Sequence, residues 1–201
     1  MGRRKGSKNK KIADKKTELI GLPLTLVENN LETLLIALTQ QLTNNKIGLA
    51  VETFFANAIN EALKLKYPND TFTILLNYPV SMGIHNAPYA DIVVKHGNDI
   101  IWLIESKMYM DITMFRRFNG DAAIYHKLYP NMKFLSMELW RASSDTQKQE
   151  LINLVELSNE MSIIHVLDDM RSKVGIMGLG YSIDMWNSIY ANLINKLIAI
   201  L

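Results

Sequence analysis

The sequence predicts an α/β fold in which a mixed β-sheet is flanked by helices. Apolar residues recur at helical spacing near both ends, runs rich in β-branched and aromatic residues occupy the middle, and the two patterns then alternate. Of the 201 residues, 48% are hydrophobic, which is enough for one sizeable core. A single domain, in which the sheet lies between helices, is therefore expected.

Two helices are predicted first. The segment 24–42 repeats leucine at the spacing of one helix face, and a second helix over 48–66 places Phe55 and Ile59 inward. Pro68 follows this second helix in a turn.

Three strands, over 71–78, 89–95 and 100–108, are predicted next from their β-branched and aromatic content. The turn at 96–99 joins the last two as an antiparallel hairpin. These strands form a β-meander.

Helices and strands alternate in the rest of the chain. The predicted elements are a helix over 113–128, a strand over 133–139, a helix over 145–157, a strand over 161–167 and a helix over 184–201. A meander followed by this alternation describes a mixed sheet between helices.

The composition excludes several chemistries. The chain contains no cysteine, so disulfides, thiolate metal sites and cysteine nucleophiles are excluded, and an intracellular, cytoplasmic protein is expected. No apolar run approaches the roughly 18 residues that a membrane span requires, so no membrane partner is expected.

Charge is distributed unevenly along the chain. Residues 1–16 hold eight Lys or Arg and one Asp, a net charge of +7, whereas the remaining chain has 14 basic and 19 acidic residues, a net charge of −5. We predict a flexible basic arm over 1–18 and one folded domain over 19–201. A basic arm on an acidic body suggests a polyanionic partner.

The run that ends in Glu105-Ser106-Lys107 carries the clearest chemical signal. Side chains alternate between the faces of a strand, so Glu105 and Lys107 share one face and Trp102 and Ser106 take the other. A carboxylate that ends an apolar run is costly to bury without a partner.

The predicted hairpin brings Asp91 close to this run. Asp91 lies five residues before the turn and Glu105 six after it, and two close carboxylates repel unless a cation separates them. Hard oxygen ligands select Mg²⁺, with Mn²⁺ able to substitute, and the Ser106 carbonyl could supply a third ligand. Lys107 could orient or deprotonate a water, or stabilise charge on a phosphate.

Asp91 followed by Glu105-Ser106-Lys107 on the next strand resembles the motif of the PD-(D/E)xK nuclease superfamily. The residue before Asp91 is Ala90 where the family often has proline. Many members also carry a glutamate on the helix before the sheet as an outer metal ligand, and Glu52 matches that position.

The resemblance implies a restriction-endonuclease-like core and a Mg²⁺-dependent DNA endonuclease, most like a small type II restriction enzyme. It implies catalytic roles for Asp91, Glu105, Lys107 and Glu52, with Ser106 beside the metal. It also implies a homodimer and no nucleotide cofactor. The helix after the motif looks like the family's polar helix near the DNA phosphates, with Arg116, Arg117, His126 and Lys127.

The basic arm resembles an AT-hook in the stretch from Gly2 to Lys10. Arg4 stands where that element has proline. A thin, glycine-flanked arginine can enter a narrow A·T minor groove while lysines meet phosphates. The expected DNA-binding residues of the arm are Arg3, Arg4, Lys5, Lys8 and Lys10.

Two other functions remain open on the sequence. A structure-specific nuclease such as a Holliday junction resolvase would use the same residue set. Outside enzymes, an AT-rich-DNA-binding protein on an inactive nuclease scaffold would bind DNA through the arm without cutting it. RNA cleavage is disfavoured because nothing in the sequence suggests recognition of a 2′-hydroxyl.

Overall fold

The fold consists of a mixed sheet with helices on both faces, as the sequence predicts. The computed structural model describes residues 22–23, 44–80, 89–108, 111–141, 153, 161–170 and 183–201. The basic arm and the helices predicted over 24–42 and 145–157 lie outside the described residues, apart from isolated positions.

The strands are β1 (Leu22–Pro23), β2 (Phe72–Pro79), β3 (Tyr89–His96), β4 (Asp99–Lys107), β5 (Lys133–Arg141) and β6 (Met161–Met170). The helices are α1 (Asn44–Lys66), α2 (Ile112–Leu128) and α3 (Ile183–Ile200). The strands lie side by side in chain order, antiparallel from β1 to β4 and parallel from β4 to β6.

Two apolar clusters divide the core between the sheet's faces. Trp102 and Ile104 of β4 face α1 and α3, whereas Leu103 faces α2. Strand β5 alternates in the same way, with Leu135 facing α1 and Phe134 facing α2. The predicted alternation along β4 is therefore confirmed.

The predicted hairpin between β3 and β4 is confirmed. His96 pairs with Asp99 across a two-residue turn, in which Gly97 has a φ of +61°. A β-bulge between Val94 and Lys95 then shifts the register by one residue. Ile92 pairs with Ile104 beyond the bulge, which places Asp91 opposite Glu105.

Most element bounds agree with the prediction within a few residues. Strands β5 and β6 are longer than predicted because their parallel pairing continues through Trp140 and Leu167 to Arg141 and Met170. Helix α2 begins one residue early, after Asp111 caps it by accepting a hydrogen bond from the Met114 amide at 2.8 Å. In the described part of the chain, no helix has the length and apolar content that crossing a membrane requires.

Candidate active site

Asp91, Glu105 and Lys107 come together where β3 begins and β4 ends. The Lys107 Nζ atom donates to Asp91 Oδ2 at 2.8 Å and to Glu105 Oε2 at 3.1 Å. The side chains of Asp91, Glu105 and Lys107 are 18%, 12% and 30% exposed, so the cluster is partly open to solvent. The three residues singled out by the sequence thus form one connected group.

The backbone of β4 also holds Asp91. The amide of Ser106 donates to Asp91 Oδ2 at 2.9 Å, so this oxygen accepts from both Ser106 and Lys107. The Ser106 side chain is buried on the other face of the strand, where its hydroxyl has no hydrogen-bond partner. The predicted role of the Ser106 carbonyl as a metal ligand stays a prediction.

The electrostatics of the cluster reflect crowding of negative charge. Burial, together with repulsion from Asp91, raises the pKa of Glu105 to about 8, against an opposing pull from Lys107. Burial alone would lower the pKa of Lys107, but attraction to Asp91 and Glu105 outweighs it and the pKa is raised. The site therefore favours added positive charge, from a proton or a cation.

Glu52 reaches the sheet from α1 through a different contact. Its Oε2 atom accepts a hydrogen bond from Asn77 Nδ2 at 3.3 Å. Asn77 lies on β2 between the pairs Leu76–Ile92 and Tyr78–Ala90, which puts it across from Asp91. Its φ of +49° is the only positive value at a non-glycine residue in the described part of the chain.

Helix α2 presents two aromatic side chains, Phe118 and Tyr125, on the face that packs near the cluster. The Lys107 Nζ atom lies 5.3 Å from the centroid of the Phe118 ring, a distance at which cation and ring attract. Tyr125 is buried on the same face of α2. Burial raises its pKa, and the negative charges of Asp121, Glu105 and Asp91 add to the effect.

The basic residues predicted on α2 lie on its outer side. Arg116, Arg117 and Lys127 are exposed, and His126 is partly buried. The Nε atom of Arg117 lies 3.7 Å from an oxygen of Asp121 one helical turn away, a weak surface pair. The five basic residues predicted to bind DNA in the arm lie outside the described residues.

Three polar residues near the cluster were not predicted. Asn77 on β2 holds Glu52, while Ser136 and Glu138 lie fully buried on β5. Ser136 pairs with Glu105, and Glu138 pairs with Lys107. A polar residue in an otherwise apolar strand was the available signal, but only the pairing of β4 with β5 shows that these two lie beside the motif.

The residues present fit a hard divalent cation at Asp91 and Glu105. Two carboxylates lie opposite each other, and the buried hydroxyl of Ser136 beside Glu105 has no hydrogen-bond partner, so it could bind a metal-coordinated water. Within the described ranges, no three His, Asp or Glu side chains gather where they could share a metal. Glu52 is therefore not brought into one group with the two carboxylates.

Comparison with known proteins gives no significant match. No family model matches the chain, and no curated protein or solved structure shows significant similarity to it. The function of this protein is therefore inferred from the geometry of the site and from the sequence motif that forms it.

Proposed function

We propose that this protein is a Mg²⁺-dependent endonuclease that hydrolyses phosphodiester bonds in DNA. The observation that carries the proposal is the contact of one ammonium, that of Lys107, with two opposed carboxylates, those of Asp91 and Glu105. The same three residues form the motif that resembles the PD-(D/E)xK nucleases.

The side chains have complementary tasks in this reaction. Asp91 and Glu105 would hold Mg²⁺, which when bound lowers the pKa of a coordinated water and neutralises charge on the phosphate. In the metal-free protein the raised pKa of Lys107 keeps its ammonium charged. We therefore favour a role in which Lys107 donates to a phosphate oxygen or orients the attacking water.

Glu52 and Ser106 would support this centre from outside. Glu52 is held by Asn77 on the side of the sheet where α1 packs, whereas Glu105 and Lys107 face α2, so Glu52 would act on the centre through Asn77, which lies across from Asp91. The Ser106 amide fixes Asp91 Oδ2, so the backbone of β4 orients the carboxylate that faces Glu105.

The DNA would approach along α2. This helix begins five residues after Lys107, and Arg116 and Arg117 are exposed in its first half, where they could meet phosphates beside the cluster. Lys127 and His126 lie near the helix's other end and would contact DNA farther from the scissile bond. The basic arm would add sequence-blind affinity.

Among nucleases, a type II restriction endonuclease acting as a homodimer is the function we favour. A homodimer would place one such site on each strand of a duplex. Resolution of branched DNA uses the same residue set and is distinguished by substrate.

The deciding experiment is a cleavage assay on supercoiled plasmid and on a synthetic four-way junction, with Mg²⁺ or EDTA. Discrete duplex fragments that require Mg²⁺ and disappear in Lys107→Ala would support a restriction endonuclease. Lys64→Ala, which removes an exposed lysine of α1 outside the proposed catalytic and DNA-binding residues, is the matched control and should retain cleavage. Cutting of the junction alone would favour a resolvase.

No cutting of either substrate would contradict the enzyme proposal. If such an inactive protein bound duplex DNA, and deletion of residues 1–16 weakened that binding, a non-catalytic DNA-binding function would replace it.

A further inference from the structure

Ser136 of β5 is a buried polar residue beside the carboxylates. Its side chain is 0% exposed, and its hydroxyl has no hydrogen-bond partner among the residues that the structure describes. A buried hydroxyl without a partner loses its hydrogen bonds to water and gains none in return, so it destabilises the folded state. The stability of the protein therefore gives no reason for a serine at this position.

The pairing of the strands places Ser136 beside the motif. It pairs directly with Glu105 in the parallel ladder between β4 and β5, and adjacent strands lie about 4.8 Å apart. Phe134, two residues earlier on β5, packs on the α2 side of the sheet, so Ser136 lies on that side as well. Lys107 contacts Phe118 of α2, which puts Glu105 and Lys107 on the same side. The Ser136 hydroxyl is therefore a neighbour of the Glu105 side chain.

A second serine hydroxyl, that of Ser106, is also buried without a hydrogen-bond partner in the described part of the chain. Ser106 follows Glu105 on β4, so its side chain lies on the opposite face of the sheet. Of these two hydroxyls, only that of Ser136 lies on the face of the carboxylates.

The Glu105 carboxyl is at present held by Lys107, whose Nζ atom donates to Glu105 Oε2 at 3.1 Å. A divalent cation between Asp91 and Glu105 would repel this ammonium. Carboxylates that bind a metal are in turn held by hydrogen bonds that fix their orientation. The Ser136 hydroxyl is an unused donor on the strand next to Glu105.

We propose that Ser136 is a positioning residue whose hydroxyl donates a hydrogen bond to the Glu105 carboxylate when a divalent cation binds between Asp91 and Glu105. One oxygen of Glu105 would bind the cation and the other would accept from Ser136. The two residues are neighbours across the ladder, so the new bond needs only side-chain rotation. The inference deepens the proposed function and rests on its metal site.

The consequence is that stability and metal affinity respond to Ser136 in opposite directions. Ser136→Ala removes a buried hydroxyl that has no partner, so it should raise the urea midpoint of the protein in EDTA. The same change should weaken Mg²⁺ binding about ten- to a hundredfold, the usual range for a residue that orients a metal ligand. A serine with a structural role alone would not combine higher stability with weaker metal binding.

The test is Mg²⁺ titration by isothermal titration calorimetry on the full chain without DNA, with urea denaturation of the same variants in EDTA. Ser136→Thr and Ser136→Val add side chains of nearly equal volume, but only Ser136→Thr keeps the hydroxyl. Ser136→Thr should therefore bind Mg²⁺ about ten- to a hundredfold more tightly than Ser136→Val. Ser162→Ala is the matched control and should keep the affinity of wild type, because it removes a hydroxyl from β6 opposite Leu135, on the α1 side of the sheet.

Equal Mg²⁺ affinities of Ser136→Ala and wild type, or of Ser136→Thr and Ser136→Val, would overturn the role of Ser136 while leaving the metal site intact. Absence of Mg²⁺ binding by the wild-type protein would contradict the metal site and this inference together. The predicted loss of affinity in a protein that cuts no DNA would support the inference and contradict the nuclease function.

A direct measurement does not depend on how the variants fold. In a crystal structure of wild-type protein with Mg²⁺ bound at Asp91 and Glu105, the Ser136 Oγ atom should lie within hydrogen-bond distance of a Glu105 carboxylate oxygen. A hydroxyl that stays unpaired, or that binds a metal-coordinated water instead, would overturn the proposal.

Discussion

At the scale of single residues, the proposed function depends on the environment of one carboxyl group. Glu105 is nearly buried and faces Asp91, so its pKa is raised to about 8. Lys107 contacts both carboxylates, but its positive charge only partly opposes the rise in the pKa of Glu105. Two ionised carboxylates in this arrangement destabilise the folded state, and the site is therefore suited to binding positive charge.

This environment predicts how stability depends on pH in the absence of divalent cations. The folded state holds a proton on Glu105 from the ordinary pKa of 4.5 up to about 8, a window in which the unfolded state has released it. The contribution of Glu105 to stability is therefore complete below pH 4.5 and declines as the pH rises towards 8, by at most about 1.4 kcal/mol per pH unit.

Glu105→Gln removes this dependence because the amide does not ionise. Urea unfolding in EDTA at pH 5 and pH 8 should show that the variant gains stability over wild type as the pH rises. Glu61→Gln, at an exposed glutamate, serves as the control and should follow wild type. Parallel pH profiles for wild type and Glu105→Gln would contradict the raised pKa.

The backbone of Asn77 is a second feature at residue scale. Its left-handed conformation is tolerated by asparagine and glycine and costs other residues about 1–2 kcal/mol. Asn77→Ala should therefore destabilise the protein by about that amount, whereas Asn77→Gly should cost less. Both variants remove the hydrogen bond to Glu52. If chemical denaturation showed equal destabilisation, the loss would come from that hydrogen bond and not from backbone strain.

At the scale of elements, the β3–β4 hairpin places the two halves of the motif opposite each other. The turn pairs His96 with Asp99, and continuing that register without interruption would set Asp91 opposite Ile104. The bulge adds one residue on β4 and moves Glu105 into that place.

The turn of this hairpin gives a prediction with an internal control. At both Gly97 and Gly120 an added Cβ would meet nothing within 4 Å, but only Gly97 has a positive φ, +61°. Gly97→Ala should destabilise the protein by about 1 kcal/mol through backbone strain alone. Gly120→Ala, inside α2, should stabilise it by about 0.5–1 kcal/mol.

Urea denaturation midpoints measure both changes. Destabilisation by Gly120→Ala, or none by Gly97→Ala, would show that the conformations of α2 and of the hairpin turn differ from those described.

At the scale of the whole molecule, the chain divides into two parts of opposite net charge. The first 16 residues carry +7 and the rest −5, so the folded body by itself would repel DNA at long range. Attraction would have to come from the arm and from local groups such as Arg116 and Arg117.

Deletion of residues 1–16 should weaken duplex DNA binding and reduce its dependence on salt. Removing one lysine–phosphate or arginine–phosphate interaction lowers the slope of log K against log salt by about 0.9, so a decrease of several units is expected. Fluorescence anisotropy between 50 and 200 mM salt measures it. A second variant, in which the arm's eight basic residues are changed to glutamine, removes the charge but keeps the length of the arm. An unchanged salt slope in both the deletion and the glutamine variant would contradict the role of the arm.

Much of the fold could be predicted because local periodicity carries the information. The alternation along β4 put Glu105 and Lys107 on one face, and turn residues separated the elements. Ser136 and Glu138 could not be predicted as neighbours of the motif, since about 30 residues separate them from it and no local pattern specifies which strand pairs with β4. The contact of Asn77 with Glu52 could not be predicted either, because it joins a strand to a helix that lies elsewhere in the sequence.

The sequence by itself determined the element types, the residues that share a strand face and the separation of charge between arm and body. These follow from side-chain periodicity and composition, which are local properties. Only the tertiary structure decided that a bulge sets Asp91 opposite Glu105 and that β5 brings Glu138 beside Lys107. Strand register and strand neighbours depend on packing of the complete sheet between its helices, which no single segment encodes.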